Sequence, residues 1–149
     1  MRSVKLYFIV ALWGLVQAAH SQTALINQKE GIGIQGYDPV AYFTDKKAIK
    51  GEEDITETFQ GVTYFFKNEE NKALFQQRPE KFLPQYGGWC AYAMAEGEKV
   101  RIDPETFKVV DGKLYLFYNF YFNNTLTSWN KDETNLKKKA DLNWKKLTQ

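Results

Sequence analysis

Histidine is almost missing from this chain of 149 residues. The one histidine, His20, lies in an N-terminal segment typical of a cleaved secretory signal. Without histidine, residues 22–149 cannot form a Ser-His-Asp or Cys-His catalytic set, and they cannot build a zinc site that uses imidazole. Most proton shuttles near neutral pH are excluded for the same reason.

Cysteine is equally scarce, because Cys90 is the only one in the chain. A single thiol excludes an internal disulfide. In an oxidising compartment such a thiol is buried, bound to a metal, reactive or paired with another chain. The chain can still form a core without disulfides, because 16% of its residues are aromatic.

The chain also lacks a hydrophobic run long enough to span a bilayer, which takes about 20 apolar residues. The shorter run at Leu6–Val16 follows two basic residues and precedes an Ala-His-Ser step. This order predicts a secretory signal peptide cleaved before Gln22. We therefore expect a cleaved signal at 1–21, a flexible polar leader at 22–30 and one folded domain at 31–149, with no membrane span after cleavage.

Neither sign of charge is in excess once the signal is removed. The precursor carries 20 basic and 18 acidic residues, and the signal takes Arg2 and Lys5 with it. A neutral chain has no overall field to attract nucleic acid or an anionic membrane. We therefore expect no nucleic-acid partner and interpret the C-terminal lysines as the solvated face of a helix.

The pattern of apolar residues indicates hairpins and short helices rather than alternating strand–helix–strand units. Strand pairs flank Gln60-Gly61 and Asp111-Gly112, which are typical of tight turns. Helices are predicted at about 69–78 (capped by Asn68 and burying Ala73, Leu74 and Phe75), 79–82, 89–95, 119–129 and after Asp132 (with Leu136, Ala140, Trp144 and Leu147 on one stripe). The expected fold is a small single α+β domain of antiparallel β-hairpins packed with several short helices and a C-terminal amphipathic helix.

Cys90 is the centre of the predicted site. It follows Gly87-Gly88 and opens a short helix, whose backbone N–H groups favour a thiolate. The two glycines allow another backbone or a ligand to approach closely. Met94 lies one helical turn further on, and a thiolate with a thioether suits a soft metal such as Cu(I). The alternative is that Cys90 and Met94 are ordinary core residues.

Two Asp-Pro steps and several aromatic residues complete the candidate set. Asp38 and Asp103 are typical turn residues, and they become ligands only if the fold brings them to Cys90. Nearby aromatic side chains are more typical of a core and its rim than of a ligand cage. The candidate ligand-binding residues are Tyr37, Asp38, Tyr86, Gly87, Gly88, Trp89, Cys90 and Asp103, and the candidate metal ligand is Cys90.

Long motifs occur in a fixed order over nearly all of residues 31–147. They are Gly36–Phe43 (GYDPVAYF), Tyr64–Phe66 (YFF), Pro79–Phe82 (PEKF), Pro84–Tyr92 (PQYGGWCAY), Asp111–Leu116 (DGKLYL) and Asn143-Trp144. Together they resemble the exported bacterial YHS-domain proteins. The resemblance implies an α+β domain, a periplasmic or secreted bacterial location, and metal-binding or thiol chemistry. Relatives can carry selenocysteine at the position of Cys90, and the Tyr-His-Ser triplet of the wider superfamily is absent here.

Three functions are open for such a chain. The first is an exported binding module that holds a soft metal ion such as copper, or a small ligand, beside Cys90. The second is a thiol redox protein, in which an external partner protein resolves Cys90. The third is a structural or interaction domain in which Cys90 is only buried. We expect binding rather than catalysis, because Cys90 has no second cysteine or histidine to work with and a redox reaction would need an outside partner.

Overall fold

A four-stranded mixed sheet is the largest sheet in residues 24–149, which are the residues that the computed structural model describes. Its strands are β1 (Gln28–Lys29), β2 (Ile32–Gly33), β3 (Glu52–Phe59) and β4 (Val62–Phe66), in the order β1-β2-β4-β3. β2 runs parallel to β4, and the other neighbours are antiparallel. The predicted signal at 1–21 lies outside the described residues.

Both predicted two-residue turns are confirmed. Gln60-Gly61 joins β3 to β4, with φ of 51° and 77°. Asp111-Gly112 joins β5 (Asp103–Val110) to β6 (Lys113–Phe117), with φ of 51° and 70°. A positive φ at both turn residues matches the right-handed twist of the paired strands, so these sequences fix the two hairpins.

Short helices surround these strands. They are α1 (Ala41–Thr44), α2 (Glu69–Gln77), α3 (Pro79–Phe82), α4 (Ala91–Met94), α5 (Thr125–Trp129) and the longer α6 (Glu133–Thr148). The predicted cap of α2 is confirmed, since Asn68 Oδ1 accepts a hydrogen bond from the backbone N–H of Asn71 at 2.9 Å. Pro79 occupies the first turn of α3, where its missing N–H costs nothing. The described residues therefore form the predicted α+β domain.

Helix α2 buries a narrower face than the sequence predicts. Phe75 is buried, but Ala73 is exposed and Leu74 is 39% exposed. The prediction is wrong because three consecutive residues point about 100° apart around a helix and cannot share one face. The second buried residue of α2 is Asn71, one turn before Phe75.

The prediction of one helix over 119–129 is wrong in its first half. β7 (Asn119–Phe120) and β8 (Asn123–Asn124) pair there as a small hairpin around Tyr121 and Phe122. Aromatic residues favour extended backbone, and asparagine favours turns and caps over helix interiors. Helix α5 begins only after Asn124, whose Oδ1 accepts the N–H of Leu126 at 3.0 Å.

Helix α6 packs through most of its predicted stripe. Ala140 is buried, and Leu136 and Trp144 are half-buried, whereas Leu147 is 41% exposed because the helix extends past the core. Asp132 precedes the helix, but its carboxylate accepts from the Asn135 side chain at 2.8 Å and not from the helix backbone. Among the helices of residues 24–149, none combines the length and apolar composition that crossing a membrane requires.

Strand β6 separates two core clusters, because its residues are buried on both faces. Leu114 and Leu116 pack in the first cluster, and Tyr115 and Phe117 pack in the second. Cys90 belongs to the first cluster. Helix α4, which follows Cys90, contributes Ala91 and Met94 to the second cluster. Cys90 therefore lies where the two cores meet.

Candidate functional site

Cys90 immediately precedes α4 and is completely buried. Its Sγ accepts a hydrogen bond from the backbone N–H of Tyr118 at 3.3 Å and lies 3.4 Å from Thr125 Oγ1. The Thr125 hydroxyl donates its single proton to the Tyr118 carbonyl at 2.9 Å, so the thiol donates to Thr125. The Cys90 backbone N–H donates to the carbonyl of Val100 at 3.0 Å. We call Cys90, Val100, Tyr118 and Thr125 the Cys90 layer.

The Cys90 layer does not fit a soft metal ion such as copper. Backbone N–H and hydroxyl groups surround the sulfur, and they are not the thiolate and thioether ligands that such an ion prefers. Met94 is buried in the other core cluster. Residues 24–149 contain no group of three or more His, Cys, Asp and Glu side chains that could hold a metal ion.

Asp38 is a buried structural carboxylate. Its Oδ1 accepts from the backbone N–H of Val40 at 2.8 Å and of Ala41 at 3.2 Å, which starts α1. Its Oδ2 accepts from the backbone N–H of Lys67 at 2.9 Å and from Asn71 Nδ2 at 2.7 Å. Asp38 therefore joins α1, the end of β4 and α2, and its lone pairs are used within the fold.

Tyr37 and Asp103 both form a hydrogen bond with Glu105. Asp103 Oδ1 accepts from the backbone N–H of Glu105 at 3.0 Å, and Asp103 Oδ2 accepts from Thr106 Oγ1 at 3.0 Å. The Tyr37 hydroxyl donates to Glu105 Oε1 at 3.5 Å. Burial raises the pKa of Tyr37, and the carboxylates of Glu105 and Asp103 raise that pKa further. The structure brings these two candidates together, but neither is a partner of the Cys90 sulfur.

The Gly87-Gly88 step does admit another backbone. The Gly87 carbonyl accepts the backbone N–H of Asn27 at 2.8 Å, and the Gly88 carbonyl accepts Asn27 Nδ2 at 2.9 Å. Trp89 Nε1 donates to the Leu25 carbonyl at 2.8 Å. The segment that the sequence predicts to be a flexible leader therefore docks on these residues, from Leu25 onward.

Gly87 and Tyr86 also contact the N-terminal segment and helix α6. A Cβ atom on Gly87, whose φ is +60°, would lie 2.7 Å from the Leu25 carbonyl oxygen and 2.9 Å from Trp144 Cη2. The Tyr86 hydroxyl donates to Asp141 Oδ1 at 2.8 Å. Burial and this hydrogen bond raise the pKa of Tyr86 above its usual range. Gly87 and Tyr86 thus join the N-terminal segment, the core and α6.

An open cleft of about 290 Å³ is lined by residues that are close in sequence to the Cys90 layer, including Arg101 and Phe120. Its apolar lining consists of Ile34, Ile102 and Phe120. Its polar lining consists of Asn27, Gln28, Lys29, Gln35 and Arg101. We call it the Arg101 cleft. The sequence contains no motif for it, because its residues come from segments that only the fold brings together.

The charges at the Arg101 cleft are all positive. Lys29 and Arg101 are exposed, and within residues 24–149 neither forms a salt bridge. No Asp or Glu lines the cleft. The Arg101 guanidinium lies 4.2 Å from the centroid of the Phe120 ring, a cation–π contact that orients it. This arrangement favours an anionic group over a cationic one.

Cys90 forms hydrogen bonds with the backbone close to each member of this cation–π pair. Cys90 N–H holds the carbonyl of Val100, which directly precedes Arg101. Cys90 Sγ holds the N–H of Tyr118, two residues before Phe120. Cys90 itself does not line the cleft.

A second, smaller cavity provides an internal comparison. It measures about 190 Å³ and has no charged residue in its lining, which includes Ile26, Tyr64, Leu83 and Trp144. It lacks the charge that would select one class of ligand. The Arg101 cleft is therefore the better candidate for a specific site.

Comparisons of the chain with protein-family models, with curated proteins and with solved structures each gave no match. The fold and the cleft define the class instead. The described residues form a small α+β domain that contains one buried cysteine and an open cleft with two cations.

Proposed function

We propose that this chain is an exported binding module, periplasmic or secreted in a bacterium and similar to YHS-domain proteins, that takes a small ligand in the Arg101 cleft. The observation that carries this proposal is an open cleft whose two cations, Lys29 and Arg101, have no salt bridge within residues 24–149. A cleft with an apolar lining and a few polar groups is the usual form of a small-molecule site.

Binding is a better match to this cleft than catalysis. Its polar lining consists of amide side chains, one lysine and one arginine. Such a set can bind and orient a ligand, but it contains no pair of nucleophile and base. The proposal therefore assigns recognition to the Arg101 cleft and no reaction.

In this proposal Cys90 holds the backbone next to the cleft and does not contact the ligand. Its sulfur is fully buried and bonded to Tyr118 and Thr125. A thiol redox protein would need its sulfur within reach of the partner protein, and a soft-metal module would need further soft ligands. The complete burial of Cys90 instead agrees with a positioning role.

The proposal is tested by mapping ligands on the isotope-labelled protein. A library of neutral, cationic and anionic fragments is added, and changes in backbone amide NMR signals are followed. We expect binders to shift the signals of Lys29, Gln35, Arg101 and Ile102. Binding that maps only to the 190 Å³ cavity, or no binder in the whole library, would contradict the proposal.

The position of Cys90 is tested with Cys90→Ser and a copper(I) titration. Serine keeps a hydrogen-bonding group at the site, so a folded variant should retain cleft binding with a change in Kd within about threefold. Copper(I) should bind both forms equally. If Cys90→Ser lost ligand or copper binding while its amide spectrum was otherwise preserved, the binding site would be centred on the Cys90 sulfur and the proposal would be wrong.

A second candidate, a structural or interaction domain, is favoured by the same burial of Cys90. In that case the Arg101 cleft would bind no fragment of any charge. The fragment library therefore separates the two candidates without knowledge of the natural ligand.

A further inference from the structure

We infer that the ligand of the Arg101 cleft is a small organic carboxylate with a flat apolar body, an inference that rests on the proposed function. Three features carry it: the sign of the local charge, the fork of the arginine, and the apolar lining beside it. Each is a property of described residues and not of the sequence motifs that resemble a family.

The local charge selects an anion. Lys29 and Arg101 contribute two positive charges, and no carboxylate of residues 24–149 lines the cleft or pairs with them. Along the chain, Glu30 follows Lys29 and Asp103 follows Arg101 by two residues, but neither carboxylate lines the cleft. Asp103 accepts hydrogen bonds from Glu105 and Thr106. A cationic ligand would be repelled, and a neutral one would leave the attraction unused.

The arginine selects a planar acid. A guanidinium presents parallel N–H groups that match the two oxygens of a carboxylate. The contact with the Phe120 ring at 4.2 Å holds the guanidinium plane in place before a ligand arrives. Gln35 is also held, because its Nε2 donates to the carbonyl of Ile102 at 3.0 Å. These contacts lower the entropy lost on binding.

The apolar lining and the size select the rest of the ligand. Ile34, Ile102 and Phe120 offer a surface on which a flat apolar body can pack. The volume of about 290 Å³ lies at the lower limit of small-molecule pockets, which span about 300–1,000 Å³. A single ring bearing one carboxylate satisfies both conditions.

A matched series of small compounds tests the inference on the purified protein. Benzoate, benzyl alcohol and benzylammonium share the ring and differ in charge, whereas acetate and inorganic phosphate lack the ring. We expect benzoate to bind at least about fivefold more tightly than benzyl alcohol, because each charged hydrogen bond at an exposed site adds a modest gain. Benzylammonium should not bind, and acetate and phosphate should bind more weakly than benzoate.

Variants locate the effect at the cleft. Arg101→Gln should raise the Kd for benzoate about five- to tenfold and leave that for benzyl alcohol nearly unchanged. Arg101→Lys keeps the positive charge but loses the paired N–H groups, so its Kd for benzoate should lie between that of the unchanged protein and that of Arg101→Gln. Arg78→Gln, an exposed arginine outside the cleft, is the matched control and should change neither. Added salt should weaken benzoate binding only.

The outcomes separate the inference from the proposed function. Equal affinity for benzoate and benzyl alcohol, tighter binding of phosphate than of benzoate, or no effect of Arg101→Gln in a folded variant would overturn the carboxylate inference alone. A cleft that binds only neutral or cationic fragments would do the same. If no compound of the series or the library binds at the cleft, both the inference and the proposed function fail.

Discussion

Two sets of residues differ in how completely the domain uses their polar groups. Asp38, Tyr86 and Cys90 are buried, and within residues 24–149 each has hydrogen-bond partners in the fold. Lys29 and Arg101 are exposed and form no salt bridge in the same range. A buried polar group is stable only when it is paired, whereas an exposed cation is already stabilised by water. The residues most noticeable in the sequence therefore build the domain, and the less noticeable ones are available to a ligand.

Asp38→Asn should give the largest loss of stability. The new amide would place donors against the Lys67 N–H and the Asn71 side chain, which now donate to Oδ2. Breaking a buried, charge-assisted network of this kind costs about 3–5 kcal/mol. The free energy of unfolding is measured by urea denaturation.

Asp103→Asn is the control for that change, because Asp103 also precedes a proline but is only partly buried. Its loss should be at most about 1 kcal/mol. Equal losses of stability at Asp38 and Asp103 would show that burial does not determine how much each carboxylate contributes, and would contradict the prediction.

Gly87→Ala should have the next largest effect. The new methyl group would meet the Leu25 carbonyl at 2.7 Å and Trp144 at 2.9 Å, and alanine would also have to adopt a φ of +60°. Strain and overpacking together should cost about 2–4 kcal/mol. Thermal and urea unfolding measure the loss.

Gly112→Ala separates the two causes. Gly112 has a φ of +70° and open space around it, so only the backbone strain applies there, about 1 kcal/mol. If Gly87→Ala cost no more than Gly112→Ala, the close approach of Leu25 and Trp144 to Gly87 would add nothing to the loss, and the prediction of overpacking would be wrong.

High pH should weaken the core, because a buried tyrosine has to lose its proton there. Burial raises the pKa of Tyr64 to about 12 from a usual value of 10.0. Above pH 10 the unfolded chain releases this proton and the folded one keeps it, so the stability is complete below pH 10 and is lost as the pH rises towards 12. A shift of this size corresponds to about 2–3 kcal/mol.

The measurement is urea unfolding between pH 9 and pH 12. Tyr64→Phe should reduce the loss across this range, because phenylalanine has no proton to release. Tyr121→Phe is the control, since Tyr121 is 84% exposed. An unchanged pH dependence in Tyr64→Phe would mean that other buried groups, such as Tyr42 and Tyr86, account for the whole effect.

Local signals explain which parts of the fold the sequence could predict. Gln60-Gly61, Asp111-Gly112 and the Asn68 cap act on their immediate neighbours, so the hairpins and the start of α2 follow from them. The hairpin at Tyr121-Phe122 carries a positive φ at two aromatic residues, which no turn preference would suggest. Both side chains are exposed, so the preference of aromatic residues for extended backbone and of asparagine for turns is what favours this hairpin over a helix.

The candidate site was less predictable than the fold. The chemistry of Cys90 and Asp38 could be identified from residue type, but whether their polar atoms would be used within the fold depends on Tyr118, Thr125 and Asn71, which are distant in sequence. The Arg101 cleft depends on residues 27–35 and 101–120, which are far apart in the sequence. A charge is informative about function only when its surroundings are known.

Arg101→Gln should have the smallest effect on stability, which makes it the sharpest test of the comparison. It removes an exposed cation–π contact with Phe120 and no salt bridge within residues 24–149, so the loss should be at most about 1 kcal/mol. Urea unfolding measures it, with Arg78→Gln as the matched change. A loss above about 2 kcal/mol would place Arg101 with Asp38 among the residues that build the domain. A small loss means that the fold does not require this arginine, which agrees with the proposed role of its guanidinium in binding a ligand.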